Sequence, residues 1–211
     1  MKQRIYSVIA LLLFLATVIF FFNRYAYTAS QNEPITVTDY KLNTYVTVTI
    51  YDSTDTALLD ECMALCDKYE MIFSRTNPES ELYKLNHGML KQSADGYHTV
   101  SDELYEVISI KKKYSELSDD AFCIAMEPLT SLWNFTDGKQ NIPADASITT
   151  VLPLLNSDDI LLRSPNQIAF VKEGMGIDLG AIAKGYIADK MKEYLISKGV
   201  NSALIYLGGN V

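Results

Sequence analysis

The chain has 211 residues, of which 48% are apolar and 21% charged, and its formal net charge is −8. The length suits one large domain. The acidic balance excludes a general nucleic-acid binder, which needs a basic face to neutralise phosphates, and the composition excludes collagen-like, low-complexity and disulfide-scaffold proteins.

Charge is unevenly placed. Residues 1–30 hold Lys2, Arg4 and Arg24 and no acid, so the remainder carries 15 basic against 26 acidic side chains. Ile5 to Phe22 is an 18-residue run interrupted only by Ser7 and Thr17, within the length that spans a bilayer. The basic residues ahead of it place the N-terminus in the cytoplasm and the rest on the extracytoplasmic side. An uncleaved transmembrane anchor and a cleaved signal peptide both fit, with Thr28-Ala29-Ser30 a marginal cleavage site. The expected division is an anchor or signal segment over 1–30 and a folded domain over 31–211.

Residues 23–34 read as a linker. Val37 to Tyr51 is rich in β-branched and aromatic residues, and Tyr45 to Tyr51 alternates with the period of a half-buried strand. Asp55 or Thr56 can cap a helix over 57–70 with Leu58, Leu59, Cys62, Leu65, Cys66 and Tyr69 on its apolar side. Cys62 and Cys66 share a helical face, so metal ligation is open, but their apolar neighbours favour small buried hydrophobes. With only His87 and His98 in the chain, no zinc set of His and Cys is visible. Both histidines read as loop residues.

Residues 73–86 read as a loop with a short helical turn. Ser101 caps a helix to about 117, with Leu104, Val107, Ile108 and Leu117 inward and Lys111-Lys112-Lys113 on a solvated face. Asp137-Gly138 marks a turn, and a short helix fits 145–156. Strands at Ile160–Leu162 and Ile168–Lys172 flank the hairpin signal Ser164-Pro165-Asn166. A helix over 182–198 ends at Gly199, and Ser202 to Leu207 reads as a buried strand before Gly208-Gly209-Asn210. That ending predicts a further strand beyond Val211. Strands and helices mix without strict βαβ alternation, which gives an α+β fold.

The densest chemical signal is Gly174-Met175-Gly176-Ile177-Asp178-Leu179-Gly180-Ala181-Ile182-Ala183-Lys184-Gly185. It is neither a P-loop nor a dinucleotide fingerprint. Its mechanics still suit phosphate: Gly180 lets backbone approach a ligand, and the helix starting near Ala181 presents free N–H groups. Lys184 in its first turn opposes the helix dipole, a cost that a bound anion offsets. Asp178 alone would repel phosphate. It becomes sensible if it binds ligand NH or hydroxyl groups or sits near a divalent cation. A purely structural corner is the alternative.

Gly176 to Tyr186 with Ala188-Asp189, followed by Gly208-Gly209-Asn210, resembles the D-L-G-x-I-A-K-G-Y segment and G-G-N turn of the ApbE-like FAD:protein FMN transferases. Phe73-Ser74, Ser80-Glu81, Leu85-Asn86, Pro128-Leu129, Leu132-Trp133 and Phe135 are similar to further motifs in the same order, over residues 36–211. The resemblance implies an exported enzyme that binds FAD with Mg²⁺. It would pass FMN to a Thr or Ser hydroxyl of an acceptor flavoprotein subunit of a membrane redox complex, releasing AMP. By position it implies FAD contacts at Asp178, Lys184, Ala121, Phe122, Cys123, Leu42 and Thr76, and a backbone carbonyl of Ala181 on Mg²⁺. Cys123 stands where the family has Asp, Ala125 where it has Thr, Asp120 and Glu127 where it has Gly, and Asn43 where it has the Gly of an early M-G-T. The family's base, a His in a His-Ile-x-Asp-Pro segment, and its Asp/Thr metal cluster would lie beyond residue 211. A non-catalytic FAD-binding module and an FAD pyrophosphatase are the alternatives.

Overall fold

The computed structural model describes residues 13–23, 33–134 and 141–209. Residues 13–23 form a helix, α1, with every side chain exposed. No helix among the described residues is long and apolar enough to cross a membrane. The first part of the apolar run, the marginal cleavage site, the Asp137-Gly138 turn and Phe135 lie outside the described residues.

The folded part is α+β. Two three-stranded antiparallel sheets are packed with helices. The first sheet has the order β1 (Ile35–Lys41), β2 (Thr44–Ile50), β6 (Ala203–Leu207). The second has the order β3 (His98–Thr99), β5 (Gln167–Phe170), β4 (Ile160–Arg163). The stretch expected as one β region is therefore a hairpin. Its register runs from Ile35 opposite Ile50 to Lys41 opposite Thr44, and its two turn residues, Leu42 and Asn43, both have positive φ, 54° and 56°. That is the geometry whose twist matches paired strands. The usual glycine is missing, which hid the turn. On β2 the predicted alternation holds: Val46, Val48 and Ile50 are fully buried.

Helix α2 (Ala57–Phe73) buries Leu58, Leu59, Cys62, Met63, Cys66, Tyr69 and Phe73. Asp55 Oδ1 accepts from the Ala57 N–H at 3.0 Å, satisfying one orphan donor of its first turn. Both cysteines are free and buried. α3 (Glu81–Asn86) begins at Ser80, whose side chain accepts from the Tyr83 N–H. α4 (Asp102–Leu117) is capped by Ser101 as expected. Leu117 is exposed, not inward, because it lies off the buried stripe of Leu104, Ile108, Lys111 and Ser115.

Three further expectations are corrected. Lys111 is not solvated: it is 3% exposed, and Lys112 donates to the Ser157 carbonyl at 2.7 Å. Each lysine finds an acceptor on a segment remote in sequence. His98 is not a loop residue but lies buried in β3, where the strand pairs with β5. β6 is only partly buried, with Ala203 and Leu204 exposed, and among the described residues it pairs on one side, with β2.

Residues 127–133 form a helix, α5 (Glu127–Trp133), with Pro128 in its first turn, where the missing N–H leaves no helical bond unmade. α6 (Asp145–Val151) is followed by a 3-10 turn at Leu152–Leu154. α7 (Ala183–Ser197) buries Tyr186, Ile187, Met191 and Leu195, and Gly199 beyond it has φ 83°. It packs on α2 and β6. Tyr69, Phe73 and Tyr186 form an aromatic cluster between the two helices, with ring centroids 5.2–5.7 Å apart.

Candidate functional site

A cavity of about 180 Å³ opens where the end of α2, the loop after it, the β1–β2 turn and the start of α7 meet. Leu42, Asn43, Thr76, Asp178 and Lys184 line it together with Glu70, Arg75 and Gly180. Four of the expected ligand residues, scattered over most of the chain, thus share one concavity. The Leu42 backbone is held in the left-handed region at its rim, a conformation that branched or bulky residues avoid.

The corner over 176–180 is fixed from four directions. The Asn86 side-chain amide donates to the Ile177 carbonyl at 2.9 Å and accepts from the Ile177 N–H at 2.8 Å. The Asp178 N–H donates to the Ile124 carbonyl at 3.2 Å. Lys111 Nζ donates to the Asp178 carbonyl at 2.5 Å. The Asp178 carboxylate accepts from the Gly180 N–H at 2.7 Å and faces Arg75 Nε at 3.5 Å.

At Gly180 a side chain would crowd the Asp178 carboxylate. A Cβ there would stand 3.0 Å from Asp178 Oδ1. At Gly176 the crowding comes from Glu127, whose Oε2 would be 2.8 Å from a Cβ.

α7 starts at Ala183, one residue inside the expected range and two beyond Ala181. The N–H groups of Ile182 and Ala183 are taken by the Leu179 carbonyl. Among the described residues, those of Ala181, Lys184 and Gly185 have no acceptor. Unpaired donors at a helix start, with Lys184 in the first turn, are chemically suited to an anion.

Lys111 carries its charge into the interior. Burial lowers its pKa, and the nearby Asp178 opposes that shift. Its ammonium also lies 4.9 Å from the centroid of the Phe122 ring, a cation–π distance.

Ala121, Phe122 and Cys123 do not line the cavity. They sit beyond Lys111, with Cys123 Sγ 3.6 Å from Ser157 Oγ and 3.7 Å from the Leu155 carbonyl. Ala181 is exposed and also outside the lining. Its carbonyl accepts no backbone hydrogen bond among the described residues, so it is one available donor, whereas Mg²⁺ takes about six oxygens. No three His, Cys, Asp or Glu side chains among the described residues are grouped to hold a metal. Those residues do not by themselves fit Mg²⁺.

Sequence reasoning missed Arg75 and Lys111. Arg75 follows Phe73-Ser74 directly, so a cation beside a recognised motif was the available signal. Lys111 had none, since it sits in an ordinary lysine triplet.

The sequence model of the ApbE family matches residues 42–211. The chain is 37% identical over 162 residues to the FAD:protein FMN transferase of Klebsiella pneumoniae (strain 342), covering 75% of this chain and 49% of that protein. It is 30% identical over 161 residues to the FAD:protein FMN transferase of Treponema pallidum (strain Nichols), covering 74% and 43%. The chain spans about half the length of these curated relatives. In fold it is similar to the flavin transferase ApbE from Vibrio cholerae, with a TM-score of 0.75 at 20% identity, covering 84% of this chain and 58% of that one. The motif-bearing corner, the helix it opens and the β1–β2 turn with β2 fall inside the matched region, and the chain belongs to the ApbE family.

Proposed function

We propose that this chain forms the FAD-binding part of an FAD:protein FMN transferase, with the flavin nucleotide's diphosphate held at the corner over 178–185. One observation carries the reading. Arg75 and Lys184, the latter with its backbone N–H unpaired among the described residues, line the same cavity as Leu42, Tyr69 and Phe73. Cations and apolar side chains in one concavity suit a nucleotide. The volume takes one portion of FAD, not all of it. Relatives named FAD:protein FMN transferase support the same substrate.

The residues described here bind and orient. Lys184 and the N–H donors hold negative charge in place, where it also develops as a phosphoryl bond breaks. Phe122 and Cys123 would reach ligand portions that extend past Lys111. Magnesium, implied by the resemblance, would neutralise the diphosphate further. Its remaining ligands are not supplied by the described residues. Transfer to a Thr or Ser hydroxyl of an acceptor subunit of a membrane redox complex, with release of AMP, completes the reading. The apolar run at Ile5–Phe22 supports a membrane-anchored or exported protein whose folded part faces the extracytoplasmic side.

A second reading, FAD binding without transfer, is favoured by one observation: neither histidine lines the cavity. Titrating the protein with FAD and following flavin fluorescence tests the binding. Co-expression with an acceptor tests the chemistry. An in-gel fluorescent band on the acceptor means transfer, free FMN with AMP means hydrolysis, and bound but intact FAD means a binding module. Unaltered flavin fluorescence sinks both readings.

A further inference from the structure

We propose that Arg75 is a positioning residue that makes the corner at 178–185 tolerant of a phosphoanion, acting through Asp178. The inference rests on the reading of that corner as a diphosphate site and deepens it.

A carboxylate beside a diphosphate repels it, and Asp178 stands at the start of the corner. The structure answers this without a metal. Arg75, 18% exposed in its side chain, places Nε 3.5 Å from Asp178 Oδ2. From its other side, Nη1 donates to Ser131 Oγ at 3.4 Å, and Ser131 donates in turn to Glu127 Oε1 at 2.5 Å. Glu127 is the acid packed over Gly176. One guanidinium therefore engages both acids that border the corner, one directly and one through a hydroxyl.

The geometry asks for arginine. A planar fork can serve two acceptors in different directions, whereas an ammonium acts as a point charge. The charge balance is equally specific. The cavity is lined by two acids, Glu70 and Asp178, and two cations, Arg75 and Lys184. Loss of Arg75 leaves the lining net negative, facing an anionic ligand. Lys111 cannot substitute, because its ammonium is spent on the Asp178 carbonyl.

The test uses the full chain, with Arg75→Gln and Arg75→Lys made both alone and in an Asp178→Asn background. FAD, inorganic pyrophosphate and riboflavin are the probes, followed by calorimetry, with thermal melting as a check on folding. Arg75→Gln should weaken FAD and pyrophosphate by about tenfold or more, the scale of one lost charge-assisted contact, and leave riboflavin affinity unchanged. In the Asp178→Asn background the same change should cost no more than about threefold, since no carboxylate is left to neutralise. Arg75→Lys should restore part of the loss. Should Arg75→Gln not fold, the Arg75→Lys pair carries the same comparison: a loss with Asp178 present and a smaller one without it.

Equal losses in both backgrounds, or a riboflavin loss as large as that for FAD, overturn the proposal. Pyrophosphate binding that depends on Arg75, in a chain that ignores FAD, keeps this inference and removes the flavin reading. Binding of neither removes both.

Discussion

Asn86 and Ile177 are 91 positions apart and exchange two hydrogen bonds, the side-chain amide of one pairing with both backbone groups of the other. Ile177 is fully buried, so these are the partners its N–H and carbonyl have in place of a strand. Asn86→Leu keeps the branched four-atom shape and removes both. Two buried backbone groups left unpaired cost about 2–4 kcal/mol together. A urea midpoint lowered accordingly, with the slope unchanged, is the expected result.

Lys184→Ala removes a cation from the lining of the cavity without disturbing the core, since the side chain is only partly buried. FAD affinity should fall by roughly 1–3 kcal/mol, the range for a hydrogen bond to a charged group, while the melting temperature stays within a degree or two. An unchanged binding isotherm would take Lys184 out of the site.

Gly176→Ala should destabilise by about 1–3 kcal/mol, the usual cost of overpacking, because the new methyl meets Glu127. Replacing Glu127 with Gly first removes the obstacle. The alanine should then cost well under half as much, and a double-mutant cycle by chemical denaturation measures the difference.

Burial pushes the Cys62 thiol up to about 11 and the Cys66 thiol up to about 12. Their folded values stand above the ordinary 9.0, so the native state keeps protons that the unfolded chain releases. That stabilisation is complete below about pH 9 and is lost as the pH rises toward 11 and 12. Urea midpoints should therefore fall between pH 9 and 11. In Cys62→Ala/Cys66→Ala the fall should be shallower but not absent, since Tyr69 and Tyr186 are also held above their ordinary value by burial. Identical slopes would contradict the assignment.

Local periodicity made α2, α4 and α7 readable, because each buries one stripe and exposes the other. β2 was readable for the same reason with period two. The β1–β2 turn was not, since Leu42 and Asn43 lack the glycine that advertises positive φ. α5 was hidden because a short helix opened by a proline leaves no measurable period. In the candidate site, the glycine-rich corner, Lys184 and Asp178 stood together in sequence and could be read as a unit. Lys111 and Arg75 could not. Their meaning lies in a carbonyl and a carboxylate contributed by Asp178, 67 residues beyond Lys111, and no local pattern records such a meeting.

The four-way anchoring of residues 177–178 has a consequence for how the protein acquires its site. Contacts from Arg75, Asn86, Lys111 and Ile124 must all be in place before the corner has its shape. Such long chain closures come late in assembly. If the corner binds the proposed nucleotide, affinity for it would report finished folding. A nucleotide captured at that stage would act as a latch, shifting the equilibrium toward the completed form by mass action.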